Sequence, residues 1–286
     1  MNPDRIGVMV NNLEPDRLRA FAAAAQLGFK VVHTSALPEG WLTGPERAQY
    51  IAAARASGLT IHSMFVGFDG QSYKDMDSIR RTVGLVIPEL RAHRRGVAKR
   101  YVSLARELGA PSLAMHLGFL PSADNPDYEP LLEAVRNIAD CCASEDLTLR
   151  FETGQDPAEV LLRFIENVDR ANLGVNFDPA NFMLYGTDEP VHALGILAPL
   201  LRGVHCKDAI ASGQSGVLGS EKPLGMGEVP WPELLRELEG CYAGPLVIER
   251  ETADDAYRGR DIISARMLLT RLHPGLWRSL GPALYD

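Results

Sequence analysis

Residues 147–181 read LTLRFETGQDPAEVLLRFIENVDRANLGVNFDPAN. Two short apolar runs, Leu147–Glu152 and Leu173–Asp178, flank a helical pattern, Pro157–Val168. Each run is too short for a helix. Each is also too continuously apolar for a strand with one wet face, so each reads as a strand buried on both sides. A helix between two such strands predicts a parallel βαβ unit. Both runs end on an acid, Glu152 and Asp178, placing chemistry at the same end of two neighbouring strands.

Six further runs share the pattern: Ile6–Val10, Phe29–His33, Leu59–Phe65, Ser112–His116, Leu201–Cys206 and Pro245–Glu249. Helical patterns fall between and after them, at Glu14–Leu27, Gly44–Ser57, Asp75–Leu108 (broken near Pro88), Tyr128–Ser144, Pro190–Leu200, Trp231–Glu239 and Arg258–Leu272. Gly28, Gly58, Gly109 and Gly240 each follow a helical pattern, where a left-handed cap is wanted. Eight alternations in a chain of this length predict an α/β fold, a single-domain (β/α)8 TIM barrel over residues 1–273. An open doubly wound sheet is disfavoured. Its first strand should run into a glycine-rich turn, and here Asn11-Asn12-Leu13-Glu14-Pro15 follows. Residues 274–286 form an apolar tail with Trp277, Leu280 and Tyr285, expected to cover the barrel or reach a second copy in a homo-oligomer.

Composition narrows the function. With 46% hydrophobic residues the chain is not disordered. No stretch is long and apolar enough to span a membrane, and the start lacks the greasy core of a secretory signal. A net charge of −8 argues against a nucleic-acid partner. Four cysteines without a CxxC spacing predict free thiols in a reducing cytoplasm.

In such a barrel, functional groups sit at the C-terminal strand ends. The last four runs deliver Glu152, Asp178, His205 and Glu249 to one rim. Three carboxylates facing a low-dielectric interior would repel one another or take up protons. A divalent cation resolves the conflict. An oxygen-rich set with one imidazole suits Mn2+, Mg2+, Co2+ or Fe2+ better than structural Zn2+. His116 ends the fourth run, Lys207 follows His205 by two, and Asn181 follows Asp178 by three; all three are candidate substrate ligands. His62 is a fourth, although either alternation can be drawn for its strand. Arg150, two before Glu152, is expected to face inward as a counter-charge to the acids. The segment from Asp208 to Val229, with five glycines, is expected to be a loop covering the substrate.

Together, Phe151-Glu152-Thr153-Gly154-Gln155, Asn176-Phe177-Asp178-Pro179-Ala180-Asn181, His205-Cys206-Lys207-Asp208, Leu224–Trp231 and Ile248-Glu249 resemble the xylose-isomerase-like barrel superfamily. That group includes sugar isomerases, tagatose-3-epimerase-like enzymes and inosose-processing enzymes. The resemblance implies one divalent metal, commonly manganese, on Glu152, Asp178, His205 and Glu249. It also implies that Glu152 and Glu249 move the substrate proton. The expected activity is isomerisation or epimerisation of a sugar or keto-sugar, by proton transfer next to a metal-bound carbonyl through an enediolate. A lyase or dehydratase acting on an inosose or 3-keto-glycoside is the alternative, and a non-catalytic carbohydrate-binding barrel is a third reading. Ketose 3-epimerases of this type carry a histidine where this chain has Asn181, and a glutamate where it has Ala158. The endonuclease branch needs further histidines that are missing here.

Overall fold

The computed structural model describes residues 5–252 and 255–272. In chain order the elements are β1 (Ile6–Met9), α1 (Val10–Leu13), α2 (Ala20–Gln26), β2 (Val31–Thr34), α3 (Gly44–Ser57), β3 (Thr60–Phe65), α4 (Met76–Thr82), α5 (Pro88–Leu108), β4 (Ser112–Met115) and α6 (Tyr128–Ala143). They continue with β5 (Thr148–Glu152), α7 (Ala158–Val168), β6 (Leu173–Phe177), α8 (Pro179–Tyr185), α9 (Pro190–Leu197), β7 (Leu201–Cys206), β8 (Asp208–Ile210), β9 (Ser220–Lys222), α10 (Trp231–Cys241), β10 (Leu246–Ile248) and α11 (Asp255–Arg271). Eight strands close a parallel barrel in the order β1-β10-β7-β6-β5-β4-β3-β2. This is the single (β/α)8 domain expected from the eight runs.

The helices pack because their apolar residues recur at helical spacing. On α6, Leu131, Leu132, Val135, Ile138, Ala139 and Cys142 are buried; on α7, Leu161, Phe164, Ile165 and Val168. Each such Leu, Ile, Val or Phe contributes roughly 1.5–3 kcal/mol by leaving water. Gly58 and Gly109 close α3 and α5 in the left-handed conformation, as expected. Gly240 does not: α10 runs past it to Cys241, and the Tyr242 amide still donates to Leu238. The expected break in Asp75–Leu108 falls between α4 and α5, with Pro88 opening α5.

Two segments depart from the sequence reading. The pattern Glu14–Leu27 is helical only over α2, because Pro15 and the Asp16 turn delay its start; the short α1 precedes the pattern, directly after β1. The loop after β7 contains an antiparallel hairpin, β8–β9. Asp208 organises it: Oδ1 accepts from the amides of Ala209 and Val229, and Oδ2 from that of Gly225. A Cβ on Gly227 would lie 2.1 Å from Asp208 Oδ1, so the glycine lets the loop close on this carboxylate. Glycines scattered through 213–227 hid the pairing. All four cysteines are free thiols. No helix among the described residues is long and apolar enough to cross a membrane. The tail at 274–286 lies outside the described residues.

Candidate metal centre

Inward-facing positions alternate along each strand, so β5 turns Arg150 and Glu152 into the barrel, and β7 turns Gly203 and His205. Glu152, Asp178, His205 and Glu249 meet at the C-terminal rim, and each offers an atom within 4.8 Å of the others. Glu152 and Asp178 are 5% and 0% exposed, and His205 is 0% exposed.

Three of the four side chains are each held by a neighbour that leaves one ligand atom free. Glu152 Oε2 accepts from Asn176 Nδ2 at 2.8 Å, leaving Oε1. Asp178 caps α8: its Oδ1 accepts from the amides of Ala180 (2.9 Å) and Asn181 (3.2 Å), leaving Oδ2. His205 Nε2 lies 3.0 Å from His33 Nδ1, leaving its own Nδ1. That Nδ1 sits 3.0 Å from Glu152 Oε1 and 3.2 Å from Glu249 Oε2, but neither approach has hydrogen-bond geometry. Glu152 Oε1, Asp178 Oδ2 and His205 Nδ1 are all buried without a hydrogen-bond partner. Orphaned buried ligand atoms converging on one point are costly unless a cation joins them, so the four residues fit a divalent ion.

Lys207 stands beside this cluster. Its Nζ is 3.2 Å from Glu249 Oε2 and 3.9 Å from Asp178 Oδ2, and it also donates to Glu251. Glu251 is a site residue that sequence reasoning missed, because it lies past the strand end on a loop. A cavity of about 200 Å³ opens on the cluster, lined by His116, Asn181, Lys207, Glu249, Glu251 and Tyr73 among others. The structure thus brings His116, Asn181 and Lys207 to the mouth. His62 is not there: it lies deeper, its Nδ1 3.0 Å from His33 Nε2. Arg150 does face inward. However, its Nη1 reaches His62 Nδ1 at 3.3 Å instead of a carboxylate, since Asn176 already occupies the lower oxygen of Glu152. Asn181 Nδ2 donates to the Thr153 carbonyl, tying α8 to the β5 loop.

That junction needs Gly154, which holds φ +116°; a Cβ there would sit 2.2 Å from Asn181 Cβ and 2.7 Å from its carbonyl carbon. Gly154→Ala combines backbone strain with overpacking, so a loss of about 2–5 kcal/mol is expected. Urea denaturation measures it, and a midpoint equal to wild type contradicts it.

Electrostatics separate the acids. Burial pushes Glu152 up, against the pull of His205 and Asn176, and pushes Asp178 well above the carboxylate range. Burial also acts on Glu249, but Lys207 and His205 more than offset it and hold this carboxyl well below the usual range. Burial works against a charged His205, yet Glu152 and Glu249 keep its proton on well above the ordinary histidine value. Burial lowers His116 to about 4, so it is neutral at pH 7. Protons held on Glu152, Asp178 and His205 compete with a cation for the same atoms. Affinity for Mn2+ is therefore expected to rise with pH as these groups lose their protons, with proton release on binding. Calorimetry in buffers of different ionisation enthalpy reads both, and pH-independent affinity without proton release contradicts the expectation.

Comparison with known proteins places this geometry. The family model for xylose isomerase-like TIM barrels matches residues 21–269. A xylose isomerase domain protein from Planctomyces limnophilus is 39% identical, with a TM-score of 0.84 over 87% of this chain and 90% of that one. A xylose isomerase-like TIM barrel protein from Mycobacterium smegmatis, solved in complex with magnesium, is 19% identical (TM-score 0.66; 89% and 88% covered). The D-psicose 3-epimerase of Clostridium cellulolyticum H10, solved with D-tagatose, is 17% identical (TM-score 0.70; 93% and 98% covered). The last two likenesses show the fold alone. The uncharacterized protein YihM of Escherichia coli (strain K12) is 28% identical over 147 residues, which is 48% of this chain and 42% of that protein. The chain thus spans under half the length of that curated relative.

Proposed function

Since this chain belongs to the xylose isomerase-like TIM barrel family, we propose that it is a divalent-metal-dependent isomerase or epimerase of an unphosphorylated sugar or keto-sugar. The observation that carries the reading is the convergence of Glu152, Asp178, His205 and Glu249 within 4.8 Å, with three orphaned ligand atoms, beside a small cavity that Glu249 lines. Three carboxylates and one imidazole suit Mn2+ first, with Mg2+, Co2+, Fe2+ and Zn2+ as alternatives. A divalent ion held by these four residues supplies Lewis-acid polarisation of a substrate carbonyl.

The remaining work falls to the side chains. Glu249 lines the cavity and Glu152 meets it in the cluster, so one would remove the proton beside the carbonyl and the other return it. Return on the opposite face gives an epimer; return to the adjacent carbon gives an aldose–ketose isomer. Lys207, beside Glu249, and His116 and Asn181 on the walls contact substrate hydroxyls. At about 200 Å³ the cavity is smaller than the roughly 300–1,000 Å³ of drug-sized sites, which supports a single-ring substrate. Among the described residues the one cation lining it, Lys207, is already engaged by Glu249 and Glu251, which supports a substrate without phosphate.

The test is solvent exchange: the Mn2+-loaded protein is incubated in D2O with a panel of ketoses and 3-keto-glycosides. Deuterium beside the carbonyl with an intact skeleton supports the reading. A product lighter by water or an aglycone makes the protein a lyase instead. No exchange with any of them leaves a carbohydrate-binding barrel.

A further inference from the structure

Below the metal cluster the barrel encloses three imidazoles and a guanidinium in a line. His205 Nε2 is 3.0 Å from His33 Nδ1, His33 Nε2 is 3.0 Å from His62 Nδ1, and Arg150 Nη1 is 3.3 Å from the same His62 nitrogen. Ring centroids are 5.2 Å apart at both imidazole contacts. The excess over the nitrogen separations is what two ring radii supply, so the rings meet edge to edge, as a nitrogen lone pair requires. Phe65 packs on the His205 ring with centroids 4.9 Å apart and 24° between planes, which fixes its tilt.

The line depends on an irregularity in the sheet. Ile61 and Ser63 of β3 pair with the consecutive residues Val32 and His33 of β2. His62 is therefore an extra residue, a bulge that turns its side chain into the barrel.

We infer that Arg150, His62 and His33 are positioning residues that set the tautomer of His205, presenting the lone pair of Nδ1 to the metal. A guanidinium only donates, so His62 Nδ1 must accept. His33 Nε2, facing that acceptor, must then carry hydrogen and donate. A His205 that offers its Nδ1 lone pair carries its hydrogen on Nε2, and His33 Nδ1 accepts it. One hydrogen pattern suits every contact, with His33 and Arg150 sharing the lone pair of His62 Nδ1, and it ends on the free His205 Nδ1 between Glu152 and Glu249. A metal-bound histidine whose other nitrogen donates to a neighbour is a recurring arrangement; here the partner is another imidazole, itself pinned by an arginine two steps away.

The inference rests on the metal reading above, so its test avoids turnover. In the full chain, two-bond 1H–15N spectra of the histidine side chains report each tautomer, assigned through single His→Gln variants and recorded with and without Mg2+. The Nε2–H form is expected for His33 and for His62; hydrogen on Nδ1 of His33 overturns the proposal, whether or not the protein binds metal. Mn2+ titration by calorimetry is the second measurement. His33→Leu, which fills the space but cannot accept, is expected to bind about 10–100-fold more weakly. His33→Gln, whose Oε1 can accept from His205, is expected to recover most of that loss. Equal affinity in His33→Leu and wild type, or equal loss in both variants, overturns the proposal. A wild type that binds no divalent ion sinks the proposed function, while the tautomers still decide the line. If His33→Leu fails to fold, the wild-type spectra stand as the deciding test.

Discussion

Replacing Glu249 with glutamine, at saturating Mn2+, is expected to lower deuterium exchange beside the substrate carbonyl by about 10²–10⁴-fold, and Glu152→Gln by a similar factor. Glutamine keeps the shape and one oxygen but cannot take a proton, so the loss tracks proton transfer and not packing. The two carboxyls are not equivalent. Lys207, 3.2 Å away, and His205 hold Glu249 in its charged form, while burial raises Glu152, whose lower oxygen accepts from a neutral amide. Carboxyls pushed apart by their surroundings are a recurring basis for dividing acid from base. Metal affinity, titrated separately, distinguishes lost chemistry from a lost ligand. Exchange at wild-type rate in both variants removes these glutamates from the mechanism.

Much of this site was legible in the sequence because barrel geometry maps strand ends onto one rim. Each of the last four apolar runs stops on a residue that can bind a metal, and Glu152, Asp178, His205 and Glu249 do converge. Lys207 followed from the two-residue period. What was illegible depended on departures from regularity. The facing of His62 turns on a bulge that no periodicity announces. His33 ends the second run as His116 ends the fourth, but nothing local marks it as a partner of His205. Its role appears only when its neighbours are known. The charge of Arg150 predicts a partner among the acids, but Asn176 donates to Glu152 Oε2, and the guanidinium meets His62 instead. Glu251 and the β8–β9 hairpin lie in connections, where long-range pairing and not local pattern decides structure.

Asp178→Asn should separate the two jobs of that side chain. Its Oδ1 caps α8 through the amides of Ala180 and Asn181, whereas its Oδ2 is the orphaned ligand atom. Asparagine can still cap, so the chelated variant is expected to be at least as stable as chelated wild type. Removing a carboxyl that burial disfavours offsets any loss at Lys207. Asp178→Ala also loses the cap, at a further cost of about 0.5–2 kcal/mol. Metal then reverses the order. At a free Mn2+ concentration 100 times its Kd, wild type gains about 2.7 kcal/mol from binding. If Asp178→Asn weakens binding by 100-fold or more, the same concentration stabilises it by no more than about 0.4 kcal/mol by the same relation. Thermal unfolding with chelator and with Mn2+, across the three proteins, gives every term. An undiminished Mn2+-induced rise in Tm for Asp178→Asn would mean that this carboxylate binds no cation. The cluster would then be a set of buried acids balanced by His205 and Lys207 alone.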